Sequence, residues 1–557
     1  MHRAWLVDDI VEIIVEALYK RHYKCIYDED CVALMRVSKN LFWLTAKSFW
    51  RKTTVSRLLH LISVCTEDEE QGWSRFEKYA SFVQVLDIEG DRERSEYDPL
   101  WDITVNKLYR KLETCPWEPK LPFLGALQNV YTSAKFGQLD LAEMLACSTL
   151  QEVSIWSAWW EFDPGPGHVD ALAARLADLW HGLRQISSIT TLKLCLYPCS
   201  EELDRFRLDA VSSFTGLRSL QLSWLTVTWD LLTSLAQLPE LQHLDLLPGS
   251  EDVGLEPFLE PFLEHLQAQR HDNTFPQLTS FHWTGEWSDA VQWILSRSFT
   301  LERVRLNLGP PSDISHLAPL LELSRETLKY VDADATWNGQ ALPNEAFTSL
   351  IRCEKIQSLS LRCDADASSQ FFSDTQARAM AQSWPSLQCL DLQIVSEDLA
   401  DGAPGIDVLR PFAASCPYIH TLNIPAVLFP DNLFPVLENR PTLNCRRGAQ
   451  LRIEGLRPLN TNIHPIRVAL YLAQLWPDRH LHLTSTALDY EFWDEINGLL
   501  EFPREDLTAY YDELRASGGH GMSFDEDVPV RGKPTRGREC GSSPDNNEKR
   551  FMLAENY

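Results

Sequence analysis

Residues able to do acid-base work are few in this chain. Asp163-Pro164-Gly165-Pro166-Gly167-His168 puts a carboxylate and an imidazole in one loop, a pair that can pass a proton if held in register. Pro and Gly in that order after Trp156, Trp159 and Trp160 are more simply explained as a tight connection. Asp332 and Asp334 flank Ala333 in an alternating stretch, so a strand would set both carboxylates on its outer face. There they could hold a metal or form a glycosidase pair, although a solvated acidic surface needs fewer assumptions. Cys195 and Cys199 lack a second Cys/His pair at zinc-site distance, so no metal site is expected. The chain also has no Gly-rich phosphate loop leading to Lys-Ser/Thr, no Gly-x-Ser-x-Gly elbow and no His-Glu-x-x-His helix. A protein that binds rather than catalyses, without cofactor, is the expectation. A carbohydrate-active enzyme with a Trp-lined acidic cleft stays open as an alternative, because tryptophans such as Trp283, Trp287 and Trp293 could stack on sugars or form contact hot spots.

The elements that would position such residues repeat. Phrases of the form apolar-x-x-apolar-x-apolar recur at Ile189/Leu192/Leu194, Leu217/Leu220/Leu222, Leu241/Leu244/Leu246, Leu301/Val304/Leu306, Ile356/Leu359/Leu361, Leu387/Leu390/Leu392 and Ile419/Leu422/Ile424. Weaker copies are Val83/Leu86/Ile88, Leu127/Val130, Leu150/Val153/Ile155, Leu278/Phe281/Trp283 and Leu328/Val331/Ala333. One phrase arises easily by chance, but successive starts from Ile189 are 28, 24, 37, 23, 27, 28, 31 and 32 residues apart. That is the period of strand-plus-helix repeats. Ser219-Leu220-Gln221-Leu222-Ser223 alternates as a half-buried strand does, and 230–238 has the helical spacing to cover the other side. Stacked, such units make a leucine-rich-repeat solenoid of class α/β over 61–514, with a parallel sheet on the concave face and helices on the convex face. The 37-residue interval holds a local duplication, Glu256-Pro257-Phe258-Leu259-Glu260-Pro261-Phe262-Leu263-Glu264, which reads as an enlarged connection.

The first 60 residues differ. Leu6, Ile10, Ile13, Ile14, Ala17 and Leu18 fall on one side of a helix, a second helical stretch follows Asp28-Glu29-Asp30, and a short aromatic one surrounds Phe49 and Trp50. This segment carries +3 (10 Lys/Arg against 7 Asp/Glu), whereas the whole 557-residue chain carries −28. So negative a chain, with no basic run, is not expected to bind nucleic acid, and a basic protein substrate would suit its charge. Thirteen cysteines, an odd number, together with the absence of Asn-x-Ser/Thr, point to a reducing cytoplasmic and/or nuclear setting. No stretch of 18 uninterrupted apolar residues occurs and acids break up the N-terminus, so neither membrane insertion nor secretion is expected.

Residues 6–51 resemble an F-box, the three-helix module of ubiquitin-ligase substrate receptors, most closely the divergent fungal ones that precede irregular leucine-rich repeats. The opening Leu6-Val7-Asp8-Asp9-Ile10, the middle Leu34-Met35-Arg36-Val37-Ser38-Lys39 and the closing Phe49-Trp50-Arg51 carry the likeness. Val7 stands where the family usually has Pro. The resemblance implies that Leu6, Val7, Ile10, Leu34, Val37, Ser38, Leu41 and Trp50 bind or support a Skp-type adaptor, which brings a cullin, while the solenoid binds a protein substrate. Residues 515–557 are Gly-, Ser- and Pro-rich with few apolar side chains and read as a disordered tail. Truncation after Arg515 is expected to leave the thermal midpoint unchanged within about 2 °C, since almost no apolar area is lost; a larger drop in a calorimetric scan would contradict this.

Overall fold

The computed structural model describes Arg36 and residues 39–516. The longer segments outside that description are 89–99, 114–123, 158–167, 197–210, 248–274, 310–320, 336–343, 365–373, 396–404, 425–449 and 455–463, with some shorter stretches. The chain divides into two compact units, Met1–Arg504 and Glu505–Tyr557. The first contains a 15-stranded sheet whose strand order is the sequence order and whose pairings are all parallel. The strands are β1 (Lys52–Thr54), β2 (Val85–Asp87), β3 (Asn129–Ser133), β4 (Glu152–Ser157), β5 (Thr191–Leu196), β6 (Ser219–Ser223), β7 (His243–Leu247), β8 (Ser280–Glu286), β9 (Arg303–Gly309), β10 (Tyr330–Ala335), β11 (Ser358–Asp364), β12 (Cys389–Val395), β13 (Thr421–Asn423), β14 (Gln450–Glu454) and β15 (His480–Thr484). The helix Arg504–Ala516 opens the second unit. Among the described residues no helix is long and apolar enough to cross a membrane.

The apolar phrases set the register. Leu220 pairs with Leu244, Leu244 with Phe281, Phe281 with Val304, Val304 with Val331, Val331 with Leu359 and Leu359 with Leu390, and all are buried. The strong phrases around 220, 244, 304, 359 and 390 therefore lie in one sheet, and the weaker ones at Phe281 and Val331 fill the gaps between them. Two residues further on, Leu222, Leu246, Trp283, Leu306, Ala333, Leu361 and Leu392 form a second buried row. Each inward side chain thus meets its equivalents from the repeats before and after. Helices cover the inward side: Trp229–Ala236 buries Leu231, Leu232 and Leu235, and His168–Leu183 buries Leu176, Leu179, Trp180 and Leu183 at helical spacing.

Backbone bonding extends the lock beyond the strands. From β2 to β12 the carbonyl just before the strand accepts two N–H groups from the next repeat: Gln242 O takes Thr279 N (2.9 Å) and Ser280 N (2.9 Å), and Glu302 O takes Lys329 N (2.8 Å) and Tyr330 N (2.9 Å). A tight turn three residues before the phrase's second leucine-type position repeats too, as in Leu217 N to Phe214 O (2.9 Å) and Leu387 N to Trp384 O (3.0 Å). Side chains at these turns bond back to the preceding repeat. The hydroxyls of Thr149, Ser188, Thr300 and Thr327 donate to the carbonyls of Leu127, Leu150, Leu278 and Leu301 at 2.8, 2.7, 2.8 and 2.7 Å. The Cys416 thiol donates to Trp384 O at 3.5 Å. Buried carbonyls that a turn leaves without a strand partner are satisfied this way.

The last strand needs an end. The Asn497 amide, on the helix Tyr490–Leu500, accepts from Leu483 N and donates to Leu483 O, both at 2.8 Å, and so imitates one residue of a sixteenth strand. Asn497→Ala would leave a buried backbone donor and acceptor unpaired and is expected to cost about 1–3 kcal/mol in urea unfolding; an unchanged midpoint would contradict the capping role. Burial pushes the Cys416 thiol up to about 12, so it stays protonated and unreactive below that pH. Iodoacetamide at about pH 8 should modify Cys416 only after unfolding, as peptide mapping would show.

Candidate interaction surface

The residues that the F-box resemblance singles out are only partly within view. Leu6, Val7, Ile10, Leu34, Val37 and Ser38 lie outside the described residues, and Leu41 belongs to the helix Lys39–Arg51. Trp50, near the end of that helix, is half-buried and packs against the solenoid core, its ring 6.3 Å from Tyr79 and 5.3 Å from Phe49. Trp43 reinforces the same contact at 6.1 Å from Tyr79, with the Lys78 ammonium 3.8 Å above its ring. The register explains why. Thr53 pairs with Leu86, so Trp50, three residues earlier, occupies the slot that Val83 fills in the next repeat. Arg51 O accordingly accepts from Gln84 N at 2.9 Å, as the carbonyls before later strands do. Trp50, two residues before β1, thus sits in the first apolar slot of the repeat pattern. Sequence reading missed this because Thr53 is polar where a leucine is expected. Thr53 is buried and its hydroxyl has no hydrogen-bond partner among the described residues.

The outward face of the sheet is polar and internally paired. Its side chains reach across from strand to strand: Glu152 to Lys193 (2.8 Å), Asp245 to His282 (2.8 Å), Arg305 to Asp332 (3.1 Å) and Arg362 to Asp334 (3.6 Å). Asp391 accepts from Asn423 at 2.6 Å and from Gln393 at 3.2 Å. Asp332 and Asp334 do share the outer face, as their alternation predicts. Each faces an arginine from a neighbouring strand, Asp332 meeting Arg305 and Asp334 meeting Arg362. Among the described residues, no group of three or more His, Cys, Asp or Glu could hold a metal ion. The loop 163–167, Trp159, Trp160, Trp287 and Trp293 lie outside the described residues, as does the duplication at 256–264. Trp283 is fully buried, and Trp156 is 39% exposed beside Cys195 of β5.

In the three Arg/Lys pairs the base is more exposed than the acid, whereas in the Asp245–His282 pair the acid is the more exposed, 31% against 21%. Side-chain exposure is 53% for Arg305 against 42% for Asp332, 45% for Arg362 against 24% for Asp334, and 33% for Lys193 against 16% for Glu152. Arg303 is exposed and lies over the Tyr330 ring, 4.7 Å from its centroid, while the Tyr330 hydroxyl donates to Gln357 Oε1 at 3.0 Å. Such solvent-exposed pairs add little stability, so their effect is to orient side chains.

No family model matches the chain, and no curated protein matches it. Solved structures with a similar arrangement include the leucine-rich-repeat ectodomain of the Arabidopsis thaliana receptor kinase GASSHO1/SCHENGEN3, in complex with Casparian strip integrity factor 2 (13% identity, 66% of this chain, 42% of that one, TM-score 0.27). Others are a TDR receptor (13% identity, 65% and 57%, TM-score 0.28) and the Arabidopsis HAESA ectodomain with an IDA peptide hormone (11%, 66% and 68%, TM-score 0.17). The chain thus spans about half the length of the first two. The leucine-rich-repeat assignment rests on the chain's own register, with its phrase period and parallel ladder.

Because both carboxylates sit on a solvated face, Asp332→Asn and Asp334→Asn are each expected to cost less than about 1 kcal/mol in chemical denaturation. A loss of about 3 kcal/mol or more would mean that the pairs are buried.

Proposed function

We propose that this chain is the substrate-recognition subunit of a Skp/cullin/F-box ubiquitin ligase, acting in the cytoplasm and/or nucleus. Its N-terminal segment would bind a Skp-type adaptor and, through it, a cullin, while the polar face of the solenoid would bind a protein substrate. The observation that carries this reading is the continuity at Phe49-Trp50-Arg51. The residues that close the F-box-like sequence end the helix Lys39–Arg51 and β1 begins at the next residue, so an adaptor held through that helix would be joined to the recognition surface without a linker. The receptor itself would perform no chemistry. Holding a substrate lysine close to a ubiquitin-loaded enzyme raises its effective concentration, and that is sufficient.

A second reading is a leucine-rich-repeat scaffold for protein binding with no ubiquitin role. The packing of Trp50 and Trp43 onto Tyr79 favours it, because a helix that seals the first repeat needs no adaptor to bury its aromatics.

Co-purification with a purified Skp-type adaptor separates the two. The receptor reading expects a stable complex at micromolar concentration, weakened roughly tenfold or more by Leu6→Asp, with the thermal midpoint unchanged. Trp50→Ala is expected to lower both adaptor binding and the midpoint, since Trp50 fills a core slot. Wild-type protein that ignores the adaptor, with Trp50→Ala lowering only the midpoint, would leave the scaffold.

A further inference from the structure

The chain's net charge of −28 leads to a basic partner, but the outward surface of β9, β10 and β11 is built differently. Arg303 and Arg305 are neighbours on one strand face, both exposed, and Arg362 stands two strands away in the row of Asn307, roughly 12 Å from Arg305 and roughly 16 Å from Arg303 at ordinary strand spacing and rise. All three are held at the base. Arg305 engages Asp332 through Nε, and Arg362 engages Asp334 through one Nη, which leaves further N–H donors on each guanidinium. Arg303 has no carboxylate partner among the described residues; its guanidinium lies over the Tyr330 ring, 4.7 Å from the centroid, and the Tyr330 hydroxyl is itself fixed by Gln357. A guanidinium immobilised on a buttressed ring has already lost much of the rotamer entropy that binding would otherwise cost, and it offers a fork that fits a carboxylate.

We propose that the Arg303, Arg305, Arg362 and Tyr330 sector of the open face is a docking site for an acidic segment of a partner protein, with Asp or Glu carboxylates seated on the guanidiniums. Charge complementarity supports this occupant. Each of the sector's two carboxylates is less exposed than the arginine it engages and is already paired, while the guanidiniums keep further N–H donors for an incoming chain. The proposal deepens the substrate-binding half of the function above and does not depend on the adaptor half.

Fluorescence polarisation with labelled Glu/Asp-rich and Lys-rich peptides of equal length, on the full chain, tests it. At long range the net negative charge repels the acidic probe, so saturable binding of that probe must be local. Expected results are saturable binding of the acidic peptide that weakens as salt rises, a loss of roughly tenfold or more in Arg303→Glu/Arg362→Glu, and a change within about twofold in Arg184→Glu, an exposed arginine at the end of the helix His168–Leu183. Tyr330→Leu should also weaken binding, because Arg303 loses its platform, whereas Tyr330→Phe should keep most of it. Circular dichroism of each variant confirms that the fold is retained. No saturable binding of the acidic peptide, tighter binding of the Lys-rich one, or an equal loss in Arg184→Glu would overturn the proposal. Adaptor capture measured on the same variants should be unaffected, so failure of the ligase reading would show separately.

Discussion

A parallel sheet that buries one face and leaves the other in water cannot tolerate a one-residue slip, because the slip would exchange its leucines with its charges. In this chain that constraint is imposed at most strands by two inward apolar positions, and again outside the strands, from β2 to β12, by a carbonyl that takes two N–H groups from the next repeat. Connections between strands can then vary widely in length without disturbing the ladder. Insertion costs are carried by the connections, and loop-closure entropy grows only slowly with loop length.

The same constraint frees the outward positions. Their side chains have no part in setting register, so their identities are available for recognition. Ion pairs across the ladder hold them in defined orientations at little cost or gain in stability. Function on this fold is therefore sought on the polar face and at the two ends, where the repeat pattern stops. At the C-terminal end one asparagine side chain takes the place of a strand. At the N-terminal end an aromatic-rich helix runs directly into β1, and Trp50 serves both the helix and the first repeat.

How much of this was legible follows from which slots are apolar. Strands β2 to β13 announce themselves because at least two of their phrase positions carry Leu, Ile, Val or an aromatic. β14 and β15 do not, since Gln450 and His480 occupy slots where the pattern asks for an apolar residue, and β1 is hidden because the polar Thr53 takes the middle slot between Trp50 and Val55. The turn residues Phe214, Phe275, Cys353, Trp384 and Cys416 are buried and recur at one offset from the phrase. A search extended three positions towards the N-terminus would have found them. Alternation placed Asp332 and Asp334 on one face, but not their partners, because Arg305 and Arg362 are adjacent only through the ladder, 27 and 28 residues away along the chain. The F-box-like residues before Arg36 are known from sequence alone.

Hydrogen–deuterium exchange of the intact chain, resolved by peptide, tests the central claim of one continuous, register-locked sheet most directly. Slow exchange should recur at every strand from 52–54 through 480–484, including the N–H groups of Thr279, Lys329 and Gln357 just outside their strands. A strand within the series whose amides exchange as fast as an unstructured peptide would split the sheet and contradict the claim.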